Sequence, residues 1–241
     1  MAGHNKWSQI KRKKAANDKQ RGKIISKHIR AIQSAVRDGG DDTTTNLALK
    51  NALSAAKSDN VPSDNIDRAI ERGLGASEGN AFEAAMYEGY GPEGVAVMVE
   101  ALTDNRNRTA SEVRHVFSKH GGNMSGSTAW QFDAKGIIVL NQTDERAQEL
   151  AIELGADDLE LDEDALTIYT DPTELYTVLE ALEAEGFESE MSQLTKVPQT
   201  ETPLSASDAE KVTRFIDSLE ELDDVQNVYS TANLENLDLV T

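Results

Sequence analysis

The chain of 241 residues carries 24 Lys and Arg against 43 Asp and Glu, a formal net charge of −19, and contains no cysteine. Disulfides, thiolate zinc sites and a cysteine nucleophile are thereby excluded. No apolar run approaches the roughly 18 residues of a membrane span and the start lacks an apolar signal-peptide core, so a cytoplasmic protein with no membrane partner is expected.

The charge is segregated. Residues 1–75 hold 15 cations and 8 anions, net +7; residues 76–143 are net −3; residues 144–241 are net −23. An acidic average that conceals a basic head does not exclude polyanion partners. Leu, Ile, Val and Phe make up about 22% of the chain, close to the roughly 20% below which a highly charged chain stays disordered, so several small cores are expected.

In chain order, Ile25, Ile29, Ile32 and Val36 fall on one face of a helix over 22–37, stopped by Gly39-Gly40. A second helix over 46–58 buries Leu49, Leu53 and Ala56; a third, opened by Pro62, buries Ile66 and Ile70 and closes at Gly73. The period then shortens. Residues 84–90 and 95–102 read as a hairpin across Gly91-Pro92-Glu93-Gly94. Thr109-x-x-Glu112 reads as the capping box of a helix through Lys119, and 127–132 as a strand. From Gly136 the expected order is strand 137–140, helix 147–154, strands 159–161 and 166–169, helix 175–182 and strand 188–197, a ferredoxin-like βαββαβ unit with Asp171-Pro172-x-Glu174 capping its second helix. A last helix from the box Ser207-x-x-Glu210 and a strand over 225–230 cannot form a domain alone. The expected fold is therefore α + α/β: an N-terminal helical domain (1–78) followed by two small α/β, ferredoxin-like domains. The third of these (133–198) is inserted in the second (79–132 with 199–241).

Residues 1–30 contain ten cations, Lys6, Lys11, Arg12, Lys13, Lys14, Lys19, Arg21, Lys23, Lys27 and Arg30, and a single anion, Asp18. On a helix Lys23, Lys27, Arg30 and Arg37 lie at about 0°, 40°, −20° and −40°, opposite the isoleucine face. A cationic stripe without interleaved carboxylates suits phosphate binding, although a solvated face is the ordinary alternative. Trp7, among these cations, either stacks on a base or anchors the N-terminal arm. A second cluster, Thr103-Asp104-Asn105-Arg106-Asn107-Arg108-Thr109, enters a helix, where cations oppose the macrodipole. Arg106 and Arg108 therefore need a counter-charge: a phosphate held with the helix-end N–H groups, or Asp104 or Glu112. Arg114 and Lys119 would extend a phosphate site.

Several stretches resemble the YebC/PmpR family: Met1-Ala-Gly-His-Asn-Lys-Trp7, Lys11-Arg-Lys-Lys-Ala-Ala16, Arg21-Gly-Lys-Ile24, Tyr87-Glu-Gly-Tyr-Gly-Pro92, Leu102-Thr-Asp-Asn-Arg-Asn-Arg-Thr109 and Glu112-Val-Arg-His-x-Phe-Ser-Lys-x-Gly-Gly-Asn123. The resemblance runs along the whole chain. It implies a three-domain protein with the third domain inserted in the second. It also implies a nucleic-acid-linked regulator: bacterial members are described as DNA-binding transcriptional regulators, others as ribosome-associated translation factors that help at proline-rich stretches, and mitochondrial relatives as translational activators. His28, Ile25 and the short loop Met124-Ser-Gly126 depart from the family pattern.

Enzyme signatures are missing: no GxxxxGK[ST], HExxH or GxSxG, and no GxGxxG after a strand. His115 and His120 are five apart, too far around a helix to share a metal. The expectation is a non-enzymatic DNA-binding transcriptional regulator without cofactor, metal or small-molecule substrate. A ribosome- or RNA-associated translation factor and a protein–protein adaptor are the alternatives. The expected contact residues are Lys6, Trp7, Lys11, Arg12, Lys13, Lys14, Arg21, Lys23, Lys27, Arg30, Arg106, Arg108, Arg114 and Lys119, and the expected partner is DNA or ribosomal RNA, with the ribosome as a further candidate.

Overall fold

The computed structural model describes residues 21–75, 82–162 and 165–234. Three helices open it: α1 (Arg21–Gly39), α2 (Leu47–Ser58) and α3 (Ser63–Gly75). The predicted apolar face of α1 is the one that packs: Ile32 and Val36 are buried with Leu49, Ala56, Val61 and Ala69, flanked by Ile25, Ile29, Leu53, Ile66 and Ile70. Asn46 fixes the corner. Its side chain accepts from Leu49 N (3.0 Å) as the cap of α2, and its amide donates to Ala35 O and Gly40 O (both 2.7 Å) at the end of α1. Gly73 does not end α3, which continues to Gly75. It marks a close helix approach instead, since a Cβ there would lie 2.7 Å from Val36 Cβ.

The next unit is a three-stranded antiparallel sheet of order β1 (Glu83–Tyr90), β2 (Ala96–Thr103) and β7 (Val225–Ser230). The hairpin joining β1 to β2 turns through a short 3-10 segment, Pro92–Gly94, with positive φ at Glu93 (59°) and Gly94 (73°). Helices α4 (Arg106–Lys119) and α7 (Ala206–Glu220) pack on one face, with Phe117 and Phe215 edge to face at 5.0 Å. Residues 83–119 and 204–234 thus share one core.

Between α4 and α7 the chain builds a second antiparallel sheet of order β4 (Asp158–Leu161), β5 (Leu166–Thr170), β3 (Phe132–Leu140), β6 (Ser189–Pro198), with α5 (Glu145–Glu153) and α6 (Leu175–Ala184). This is the βαββαβ pattern expected from Gly136 onward. β3 enters and β6 leaves side by side, paired from Phe132↔Pro198 to Leu140↔Ser189.

Four local expectations are corrected. Residues 127–132 form no strand of the first sheet: Ala129–Gln131 is a 3-10 turn and Phe132 starts β3. Helix α4 starts at Arg106 behind the cap Asn105, whose side chain accepts from Arg108 N (3.1 Å), because Thr109 is drawn inward to buried partners. Ser205, not Ser207, caps α7, and Asp171 binds Thr173 N without capping α6.

Candidate nucleic-acid interface

The polar face of α1 meets the end of α7. Lys23 Nζ donates to Glu221 O (3.0 Å), Lys27 Nζ to Glu220 O (2.9 Å), and Arg30 to Asp223 O (2.6 Å) and Asp224 Oδ1 (3.0 Å). The last carbonyls of a helix have no partners within it and carry the negative end of the dipole, so they receive cations well. Arg37 donates to Phe82 O (2.8 Å) and pairs with Asp38. The stripe that the sequence presents as a phosphate face is thus supplied with acceptors from the same chain over Lys23, Lys27 and Arg30. Lys6, Trp7, Lys11, Arg12, Lys13, Lys14 and Lys19 lie outside the described residues; Arg21 is exposed at the start of α1.

Asp224 is the hub of this junction. Its side chain is only 4% exposed, yet it accepts from Arg30, from Arg108 (2.5 Å), from Thr103 Oγ1 (3.0 Å) and from Thr109 Oγ1 (2.7 Å). Burial pushes its pKa up, but hydrogen bonds from Thr109, Arg108 and Thr103 outweigh that and hold it below the usual aspartate value. Arg108 also pairs with Asp104 (2.8 Å), so its counter-charges are carboxylates of this chain, and its pKa is raised, first by the bond to Asp224. Of the two alternatives for this cluster, Arg108 follows the structural one. Asp224 carries no sequence signature: an acidic pair after a helix reads as solvated surface.

Arg106, Arg114 and Lys119 are exposed, and none has a side-chain hydrogen bond or ion pair among the described residues. Helix geometry separates them, with Arg106 and Arg114 about 80° apart and Lys119 roughly 140° beyond Arg114. Lys119 opens onto a shallow groove of about 390 Å³ shared with Glu93, His120, Lys211 and Arg214. The last two cations escape a reading centred on the N-terminus, but Lys211 pairs with Asp208 and Glu93, and Arg214 with Glu210. Burial, then Lys119 and Arg214, depress the His120 pKa. Among the described residues, the exposed cations Arg106, Arg114 and Lys119 thus stand at three separate places on α4.

The comparisons with known proteins bear on the whole chain. The N-terminal domain described for TACO1/YebC proteins matches residues 5–76, and the TACO1/YebC second and third domain matches residues 82–232. A probable transcriptional regulatory protein of Thermus thermophilus is 55% identical over 241 residues, covering 98% of both chains. One of Deinococcus radiodurans is 55% identical over 238 residues, covering 97% of this chain and 98% of its own. The crystal structure of a conserved hypothetical protein from Aquifex aeolicus superposes with a TM-score of 0.80 at 47% identity, over 89% of this chain and 90% of that one. With family matches in both halves and relatives this similar over nearly their full length, the chain belongs to the TACO1/YebC family.

Proposed function

We propose that this protein is a non-enzymatic regulator that binds duplex DNA through its backbone and acts in transcription. The observation that carries the reading is the charge segregation, net +7 in the first 75 residues of a chain whose net charge is −19. The naming of its relatives as transcriptional regulatory proteins supports the process. Because Lys23, Lys27 and Arg30 already hold α7, first contact falls to Lys6, Lys11, Arg12, Lys13, Lys14 and Arg21, with Trp7 among them. Arg106, Arg114 and Lys119 add cations further along. The basic head (1–78) is the binding unit, while the acidic units (79–132 with 199–241, and 133–198) repel polyanions and restrict binding to the head.

The test is a titration against a promoter duplex, a scrambled duplex and ribosomes across a salt series. With about five phosphate contacts, log affinity for duplex should fall with log salt at a slope near −4 to −5. Promoter and scrambled duplex should differ by less than the roughly 10³-fold of a dedicated base-reading protein. Binding to ribosomes without binding to duplex would overturn the transcriptional reading in favour of translation.

A further inference from the structure

Trp130 is 68% exposed, the most exposed of the large hydrophobic side chains among the described residues. It is nevertheless held firmly. Its Nε1–H donates to Ser127 O (3.1 Å), so the ring folds back over its own 3-10 turn. That turn is locked by Glu88 on β1, whose Oε2 accepts from Ser127 Oγ (2.8 Å), Thr128 N (2.6 Å) and Ala129 N (2.9 Å). Thr128, fully buried, donates to Val97 O (3.1 Å). An indole with its only donor already used presents an aromatic face and no hydrogen-bonding edge. Glu88 Oε1, by contrast, has no hydrogen-bond partner among the described residues.

The surrounding face has a definite charge. β1 and β2 pair Met86 with Glu100 and Glu88 with Met98, and β2 and β7 pair Glu100 with Asn227 and Met98 with Tyr229. Directly paired residues share a face, so these six side chains stand together on the side opposite α4 and α7. They include two carboxylates and no cation, and Met86 is 40% exposed. The Glu88 carboxylate is held in its charged form by the backbone N–H of Ala129 first, with burial opposing and Thr128 and Ser127 adding to it. A phosphate would be repelled here, since the Glu88 carboxylate is bonded to the very turn that carries Trp130 and charges act over roughly 8–10 Å at ordinary salt. A cation is attracted by the carboxylates and by the indole face alike.

We propose that Trp130 and Glu88 form a receptor for an arginine or lysine side chain of a cationic protein segment, its charged group lying on the indole and donating to Glu88 Oε1. Among the described residues, the site stands on the sheet face opposite α4, the helix that carries Arg106, Arg114 and Lys119. A Trp7→Phe variant leaves Trp130 as the sole tryptophan, because the chain has two. An extended peptide alternating arginine and glycine should shift or quench its emission saturably. The same peptide with citrulline for arginine, and an oligouridylate, should not. By calorimetry, Trp130→Ala and Glu88→Gln should each weaken the arginine peptide by about three- to five-fold, while Glu153→Gln, an exposed charge on α5, leaves it unchanged. An equal loss in all three variants would reduce the effect to general acidity and overturn the receptor. So would no emission change with the peptide, or a response to the oligonucleotide alone, which would mark a base-stacking surface.

Discussion

At the scale of single residues, Asp224 carries more of the molecule than any other charged group described. A buried carboxylate is stable only if its lone pairs are filled, and here two guanidinium groups and two threonine hydroxyls fill them. Asp224→Ala leaves buried donors unpaired and should cost about 3–5 kcal/mol in denaturant unfolding. Its pH dependence has a defined sign. The folded pKa is lowered, so its stabilisation is complete above the ordinary aspartate value near 3.9 and is lost as pH falls through the lower folded value. The stability difference between the natural chain and Asp224→Asn should therefore stay constant from pH 7 to 5 and shrink below about pH 4. Arg106 and Arg108 should also separate. Arg108→Ala removes a partner of Asp224 and Asp104 and should lower Tm, whereas Arg106→Ala relieves a cation at a helix start and should leave Tm equal or raised. A fall in Tm for Arg106→Ala equal to that for Arg108→Ala would show that both arginines are structural.

At the scale of elements, the termini were harder to read than the interiors. The apolar faces of α1 and α3 follow from spacing alone, because a 3.6-residue period leaves one buried stripe. Caps do not, because several residues near a helix start satisfy the same pattern. Thr109 fits a capping box, yet its hydroxyl donates to Asp224 and lies 2.7 Å from Thr103 Oγ1, contacts made across 115 and 6 residues of chain. Ser205 and Ser207 both stand at the start of a helix, and the earlier one caps it. Asn46 is the converse case, a cap that also ties two helices. Asn46→Ala should cost about 1 kcal/mol for the cap and a further 1–3 kcal/mol for stranding the carbonyls of Ala35 and Gly40. Thermal unfolding followed by helical circular dichroism would register this, and a loss under about 0.5 kcal/mol would show the amide contacts to be incidental.

At the scale of the whole molecule, the helical head is seated on the other units. Lys23, Lys27 and Arg30 reach the end of α7, while Lys50 pairs with Glu180 (3.0 Å), Ser54 meets Ser192 (3.0 Å) and Tyr176 donates to Asn51. The same cations cannot both hold these carbonyls and neutralise phosphates. Neutralising Lys11, Arg12, Lys13 and Lys14 should therefore reduce the salt slope of DNA binding by about one for each contacting residue lost, with little change in Tm. Replacing Lys23 and Lys27 by alanine should leave that slope unchanged and lower Tm. A slope that drops equally in both variants would show that the head leaves α7 when it binds.

The sequence by itself determined the helical head, the βαββαβ order of residues 136–198, the return of the C-terminal strand to the N-terminal hairpin and the separation of charge. Each rests on local periodicity, composition or an element too small to stand alone. Only the tertiary structure decided the rest. It chose which cations face carbonyls and which face solvent, it turned residues 129–131 into a 3-10 segment that presents Trp130, and it made Asp224 the centre of a junction. The physical reason is common to all three. A side chain's partner is set by whatever arrives beside it, and Arg30 and Asp224 stand 194 residues apart in the chain but 3.0 Å apart in the fold.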